Sequence, residues 1–184
     1  MKNALLVIDA QKIYSRPDSE LFVEDYASAV KNINKLISIA RKNNELIIYI
    51  RHQHKSDGSD AGRMFDFAGP GSELQFVEGT SDAEFMPELN MIAGVLVIIK
   101  NRYSSFVNTG LQKLLQENKI EKITLCGFMT NFCVEATARH AHDLDYFVDV
   151  VLEACGTPGT EDLSPAETTR AAAATLASGI AVIK

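Results

Sequence analysis

The stretch Thr-Leu-Cys-Gly-Phe-Met-Thr-Asn-Phe-Cys-Val-Glu-Ala-Thr-Ala-Arg (residues 124–139) changes from one kind of secondary structure to another. The residues before Gly127 are apolar and partly β-branched, which is typical of a buried strand. Thr130 or Asn131 can cap the helix that we expect to follow. Whichever residue is the cap, Cys133 is predicted to lie in the first turn of that helix.

Apolar runs of the same kind alternate with helical patterns along the rest of the chain. The predicted strands are Ala4–Asp9, Leu46–Arg51, Val95–Lys100, Lys122–Gly127, Phe147–Leu152 and Ile180–Ile183. The predicted helices are Val23–Asn43, Thr109–Asn118, Asn131–Leu144 and Pro165–Ser178, the last with Ser164 as its cap and Gly179 as its stop. Because the strands are nearly continuous apolar runs, helices are expected to cover both faces of the sheet. The pattern predicts an α/β fold with a doubly wound, mostly parallel six-stranded sheet.

Length and charge limit what the chain can be. The 184 residues fit a single domain, 1–184, with its own core. A net charge of −6 argues against nucleic acid and against an anionic membrane surface as partners. No apolar run approaches the roughly 18 residues that span a bilayer, and the N-terminus lacks the features of a signal peptide. We expect a cytoplasmic protein.

One long segment interrupts the alternation of strands and helices. From about residue 52 to residue 92 the chain is rich in Gly, Asp, Ser and Glu, and it carries phenylalanines at 65, 67, 76 and 85. A connection of this length in a compact domain is usually a lid or a binding loop. The alternative is a surface excursion packed on its own phenylalanines, and length alone does not separate the two.

The three cysteines have neither the number nor the spacing of a disulfide framework or a zinc site. Cys126 lies within a predicted strand and is most simply a core residue. Cys133 is different, because unpaired N–H groups and the positive end of a helix dipole favour an anion at that position. We therefore expect its thiol to lose a proton more easily than a free cysteine does.

Polar residues end several of the predicted strands at one edge of the sheet. Asp9 and Lys100 each follow a strongly apolar run, and Cys133 lies just beyond the fourth strand. Ligands of open α/β sheets bind beyond the carboxyl ends of the strands. A carboxylate, an ammonium and a thiol at one edge would supply a general base, a charge stabiliser and a nucleophile.

Three motifs resemble the isochorismatase-like cysteine hydrolases. They are Asp-x-Gln (Asp9, Gln11), Lys-x-Arg-Tyr-Ser-x-Phe (Lys100, Arg102, Tyr103, Ser105, Phe106) and Gly-x-x-Thr-x-x-Cys-Val (Gly127, Thr130, Cys133, Val134). Their order and spacing match over nearly the whole chain, and the Gly-to-Cys segment is the most specific part.

The resemblance implies a Rossmann-like fold and an Asp-Lys-Cys catalytic triad, here Asp9, Lys100 and Cys133. It implies hydrolysis of a C–N bond in a small amide or ureide through a covalent thioester. It also implies a cis peptide at Phe128–Met129 and an oxyanion hole formed by the backbone N–H groups of Met129 and Cys133. A nicotinamidase with an altered metal site and a non-catalytic or regulatory homologue are the alternatives.

Some relatives bind a metal through an Asp-x-His pair and a further histidine. Here the pair reads His52-x-His54, and the best match to the third ligand is Gln75. Two residues separated by one point to opposite sides of an extended chain, so the histidines would chelate one ion poorly without a bend. A glutamine is also a weaker ligand than imidazole for a transition metal. We expect no metal and no other cofactor.

The substrate is expected to be a small molecule. Four residues near the motifs are candidates for its pocket: Gln11, Tyr14, Tyr103 and Phe106. The resemblance also implies a homo-oligomer, a dimer or a tetramer, between which the sequence does not choose.

Overall fold

The protein is described here by a computed structural model, which covers residues 1–64, 74–92 and 94–184. Six parallel strands form one sheet in the order β3-β2-β1-β4-β5-β6. The strands are β1 (Asn3–Ile8), β2 (Leu46–His52), β3 (Leu96–Lys100), β4 (Lys122–Phe128), β5 (Phe147–Gly156) and β6 (Val182–Ile183). The order reverses between β1 and β4, so the predicted doubly wound fold is confirmed, and in such a sheet ligands bind at this reversal.

In the described ranges 1–64, 74–92 and 94–184, four α-helices connect the strands and cover both faces, as predicted. They are α1 (Tyr26–Lys42), α2 (Leu111–Glu117), α3 (Glu135–Asp143) and α4 (Pro165–Ala177). Residues of α1 pack with Leu5 and Val7 of β1 on one face of the sheet. Residues of α2, α3 and α4 pack with Leu6 and Ile8 on the other, because successive strand side chains point to opposite faces.

The ends of some elements differ from the prediction for local reasons. Helix α1 begins three residues late, at Tyr26, and the Val23 N–H before it donates to the Tyr14 carbonyl (3.0 Å). Strand β6 is short, because Ile180 and Ala181 both donate to the carbonyl of Leu176 and complete the end of α4. Strand β5 continues to Gly156 beyond a register shift opposite β4.

The start of α4 agrees with its sequence. The Ser164 hydroxyl accepts from the Glu167 N–H, and the Glu167 carboxylate accepts from the Ser164 N–H in return. Pro165 occupies the first helical position, where its missing N–H costs nothing. Gly179, after the last turn, has a φ of 137°.

Strand β3 is less covered than its apolar sequence predicts. Leu96 and Val97 are each 41% exposed and Ile99 is 47% exposed. The strand lies at the edge of the sheet, with only β2 beside it. Complete burial of both faces is therefore a property of the inner strands such as β1, and not of β3.

The predicted lid at 52–92 contains little regular structure in its described parts. A 3₁₀ turn at Ser81–Ala83 is its one helical element there. Phe76 is buried in the core, and Phe85 packs edge-on against Tyr49 with ring centroids 6.1 Å apart. Phe65 and Phe67 lie outside the described residues. This part of the chain therefore contributes to the core through at least one of its phenylalanines.

Within residues 1–64, 74–92 and 94–184, no helix combines the length and the apolar character that crossing a bilayer requires.

Gly127 in β4 lies directly against the backbone of β1. It is paired with Ile8, and its φ of 118° is one that residues with side chains rarely adopt. A Cβ atom at this position would lie 1.9 Å from the carbonyl oxygen of Ile8. Glycine is therefore required for the two strands to end side by side.

We expect Gly127→Ala to lower the free energy of unfolding by more than about 4 kcal/mol, because a backbone clash adds to the cost of its φ. Gly79→Ala is the matched control: its φ is 79°, but a Cβ there would meet nothing within 4 Å. That variant should lose only about 1–2 kcal/mol. Urea unfolding measures both, and equal losses would contradict the clash.

Candidate active site

Asp9 lies at the reversal of strand order, directly after β1. Its backbone is left-handed (φ 47°), and its N–H donates to the carbonyl of Ile50 in β2 (3.0 Å). The side chain is completely buried. Neither carboxylate oxygen has a hydrogen bond of normal geometry among the described residues, so both remain able to accept a proton.

Lys100, the last residue of β3, reaches the same place from two strands away. Its stem is buried, and its Nζ lies 2.6 Å from Asp9 Oδ2 in an ion pair. The contact joins two opposite charges directly. A buried ammonium requires such a partner, because an unpaired charge in the interior is costly.

Cys133 completes the predicted group of three. It lies in a single π-helical turn, Thr130–Val134, that leads from β4 into α3. Lys100 Nζ is 3.2 Å from Cys133 Sγ, and the thiol is 3% exposed. The structure thus brings the carboxylate, the ammonium and the thiol of the three predicted catalytic residues together at one edge of the sheet.

The turn begins differently from the prediction, because neither candidate side chain caps it. The side-chain amide oxygen of Asn131 accepts instead from the Thr157 hydroxyl (2.8 Å). The Thr130 hydroxyl is buried and has no hydrogen-bond partner within the described part of the chain. The residue at the N-cap position is Met129, in extended conformation.

The expectation of an acidic thiol is contradicted by its surroundings. Burial raises the pKa of Cys133 to about 12, although the Lys100 ammonium lowers it, and the Asp9 carboxylate raises it further. Burial also raises the pKa of Asp9, against the effect of Lys100. Burial alone would lower the pKa of Lys100, but Asp9 and Cys133 raise it above its ordinary value. In the free protein the thiol is therefore protonated beside a carboxylate that can take its proton.

The backbone around Met129 has the cis peptide Phe128–Met129 that the resemblance implies. The N–H groups of Phe132 and Val134 both donate to the Met129 carbonyl, at 3.1 and 3.2 Å. The Met129 N–H itself has no hydrogen-bond acceptor among the described residues. The oxyanion hole of Met129 and Cys133 stays a prediction.

A cavity of about 230 Å³ opens onto the Cys133 thiol. Its walls are largely aromatic and apolar, and its lining residues are Tyr14, Leu21, His52, Met64, Gln75, Phe76, Tyr103, Met129, Phe132 and Cys133. Two of the four residues predicted for a substrate pocket, Tyr14 and Tyr103, are in this set. Phe132 could have been found from its place beside Cys133 in the sequence, whereas Leu21 and Met64 carry no motif.

Gln11 and Phe106 are not among the residues that line this cavity. The Gln11 amide donates to the carbonyls of His52 and Ala83, and its oxygen accepts from the His52 N–H. Its polar atoms therefore connect β1, the end of β2 and the lid. Phe106 packs in the core against His140, with ring centroids 5.1 Å apart.

The imidazoles of His52 and His54 do not point apart, because the chain is not extended between them. Strand β2 ends at His52, and the His54 N–H donates to Phe76 in the lid, so the chain bends between them. The two Nε2 atoms are 2.9 Å apart, and both side chains are buried.

Asp9, His52 and Cys133 place one possible metal-ligand atom each within 4.8 Å of one another. The Lys100 ammonium contacts all three side chains, at 2.6, 3.1 and 3.2 Å. A cation already present among the donors opposes a metal ion there. A site without metal stays our prediction.

We expect the thiolate absorbance of Cys133 to appear only at strongly alkaline pH, since burial raises its pKa to about 12. The difference spectrum between the wild type and Cys133→Ala isolates this thiol from Cys126, Cys155 and the tyrosines. Asp9→Asn should shift the titration to lower pH, because it removes a negative charge beside the sulfur. A thiolate that forms below the ordinary cysteine pKa of about 8.5 would contradict the geometry described above.

Comparison with known proteins identifies the family of the chain. Residues 3–182 match the family model of the Isochorismatase domain. The chain is 30% identical over 157 residues to YddQ of Bacillus subtilis, an uncharacterised isochorismatase family protein, with 85% of this chain and 79% of YddQ covered. It is 31% identical over 176 residues to the ureidoacrylate amidohydrolase RutB of Cronobacter sakazakii, with 83% of this chain and 73% of RutB covered.

A solved structure shares the fold over almost the whole chain. It is a cysteine hydrolase from Pseudomonas syringae pv. phaseolicola, with a TM-score of 0.89 and 30% identity. The similarity covers 99% of this chain and 87% of that one. The six-stranded sheet, the sequence match over residues 3–182 and this structural similarity show that the chain is a hydrolase of the isochorismatase family.

Proposed function

We propose that the protein is a cysteine hydrolase that cleaves the C–N bond of a small amide or ureide through a thioester on Cys133. The observation that carries the proposal is the position of the Lys100 ammonium, in contact with both Asp9 and Cys133 beside a cavity. The similarity to ureidoacrylate amidohydrolase supports a C–N bond as the target.

In the first half of the reaction, Asp9 takes the proton of the Cys133 thiol, and the Lys100 ammonium stabilises the thiolate. The sulfur attacks the substrate carbonyl, and the N–H groups of Met129 and Cys133 donate to the oxyanion. Asp9 then gives its proton to the leaving nitrogen. The C–N bond breaks, ammonia or an amine departs, and the acyl group remains on sulfur as a thioester.

In the second half, Asp9 removes a proton from water as the water attacks the thioester carbonyl. The tetrahedral intermediate collapses with loss of the sulfur, which takes the proton back from Asp9. The acid product leaves, and the thiol and the carboxylate are restored. Asp9 suits this exchange because it is buried, has a raised pKa and has no normal hydrogen bond to its oxygens among the described residues.

The cavity supports a small and largely apolar substrate. Its volume of about 230 Å³ is below the roughly 300–1,000 Å³ typical of ligand pockets. The rings of Tyr103 and Phe132 pack at 5.2 Å beside the nucleophile, where they can hold a flat group. No lysine or arginine is among the described residues that line it. We propose a neutral amide whose planar or apolar part contacts these rings.

We expect the wild type to release ammonia from a member of a panel of small amides and ureides, and Cys133→Ala to lose at least roughly three orders of magnitude in kcat. Cys155→Ala is the control, because its sulfur lies outside the site and should leave kcat unchanged. Rapid acid quenching and mass spectrometry should show one acyl group on the wild type. Full turnover by Cys133→Ala would refute the scheme, and an inert wild type with correct fold would favour a non-catalytic homologue.

The pH profile of kcat/KM should follow Asp9 on its acid side. Because burial raises the pKa of Asp9 above 3.8, activity should fall to half its plateau at a pH above 3.8. On the alkaline side the triad should cause no loss below about pH 10.5, because the pKa of Lys100 is raised from that value. Asp9→Glu, which keeps a base, should move the acid limb, whereas Gln116→Glu on the surface should not. An acid limb below pH 3.8 would contradict this role.

A further inference from the structure

A row of polar contacts leads away from the Lys100 ammonium, beginning at His52. Lys100 Nζ lies 3.1 Å from His52 Nδ1. His52 Nε2 lies 2.9 Å from His54 Nε2, and His54 Nδ1 lies 3.4 Å from Asp60 Oδ1. Both imidazoles are buried, and the mechanism proposed above uses neither of them.

Charge fixes the direction of every hydrogen bond in this row. An ammonium can only donate, so His52 Nδ1 must accept and the proton of the neutral ring must be on Nε2. This Nε2–H can then only donate to His54 Nε2, which places the proton of His54 on Nδ1. That Nδ1–H donates to the carboxylate of Asp60. An ionised carboxylate has no proton and can act only as an acceptor. Each imidazole is thus restricted to one tautomer, and the two tautomers differ.

The surroundings keep the two rings neutral and in place. Burial and, after it, the Lys100 ammonium hold the pKa of His52 well below its usual value, and burial lowers the pKa of His54. The His52 ring stacks on Phe76, with centroids 4.7 Å apart and planes 24° from parallel. A neutral imidazole has one donor and one acceptor nitrogen, so each ring can accept one hydrogen bond and donate the next.

Asp60 is held as the acceptor at the end of the row. Its Oδ1 also accepts from the Lys55 N–H at 3.0 Å, and its Oδ2 accepts from the Asn101 amide at 3.1 Å. Arg102 donates to its backbone carbonyl at 2.7 Å. Although partial burial acts the other way, the hydrogen bonds from Asn101 and Lys55 keep the pKa of Asp60 below 3.8.

We propose that His52, His54 and Asp60 are positioning residues that orient the Lys100 ammonium. Three N–H bonds leave its nitrogen, and three groups surround it: Asp9, Cys133 and His52. When the His52 ring accepts a hydrogen bond from one N–H of the ammonium, the other two N–H bonds are directed toward the base and the nucleophile. Without that acceptor the ammonium could rotate about its last bond, and one buried N–H would lose its partner. The proposal rests on the catalytic role of Lys100 proposed above.

The first test reads the tautomers directly and needs no substrate. The chain contains four histidines, so nitrogen-15 NMR of the imidazoles can be assigned with His52→Gln and His54→Gln. We expect a protonated Nε2 on His52 and a protonated Nδ1 on His54 at neutral pH. The reverse tautomer on either ring, or an imidazolium, would overturn the proposal. So would a joint shift of both resonances on adding one equivalent of Zn²⁺, because the pair would then hold a metal.

The second test separates positioning from simple packing. His54→Leu fills similar space but cannot accept or donate, whereas His54→Gln offers an oxygen to His52 and an amide N–H to Asp60. We expect His54→Leu to lower kcat roughly 10- to 100-fold with KM changed less than about twofold, and His54→Gln to restore most of kcat. Equal activity of the two variants, high or low, would overturn the proposal. If the wild type cleaves no amide, the proposed function fails, while the NMR result still decides the orientation of Lys100.

Discussion

The site depends on one buried positive charge. The Lys100 ammonium is buried out of contact with water. It is stable in the interior only because groups on three other parts of the chain interact with its positive charge and its N–H bonds. Asp9 provides the opposite charge at the end of β1, Cys133 a polarisable sulfur after β4, and His52 a neutral nitrogen at the end of β2. The long lysine side chain makes this arrangement possible, since it crosses the end of β2 to reach β1.

The same desolvation accounts for the acidities of the site. A thiol beside an ammonium at the start of a helix is expected to be acidic when water can reach it. Because the thiol and the carboxylate are both buried, desolvation and the neighbouring carboxylate outweigh the effect of the ammonium on the pKa of Cys133, and proton transfer between Asp9 and Cys133 becomes an exchange within the buried group. The charge of the group does not change during such an exchange, so little solvent has to reorganise.

Much of the fold and part of the site could be predicted from the sequence, and there are physical reasons why some predictions were correct and others were not. Apolar runs of strand length separated by amphipathic helices left few alternatives to a doubly wound sheet, and polar residues at the ends of Ala4–Asp9 and Val95–Lys100 had to meet at one edge. The meeting of His52 and His54 could not be predicted, because it follows from a bend just after β2, where the His54 N–H donates to the carbonyl of Phe76, 22 residues further along the chain. The use of Gln11 to join β1 to that bend depends on backbone atoms far along the chain. The acidity of Cys133 depends on burial, which local sequence does not contain.

The pairing of Ile8 with Gly127 has a consequence for how such a protein can diversify. Asp9 follows one of these residues directly, and the turn that carries Cys133 begins just beyond the other, so the base and the nucleophile are both anchored to a single rung of the sheet. The long connection between β2 and β3, in contrast, lines the cavity with Met64 and Gln75, which belong neither to that rung nor to the row from His52 to Asp60. Substitutions of these two residues can therefore alter which molecule is accepted while the reacting groups keep their spacing. Different parts of the fold therefore hold the reacting groups and contact the substrate, so relatives can keep one reaction while they change the substrate.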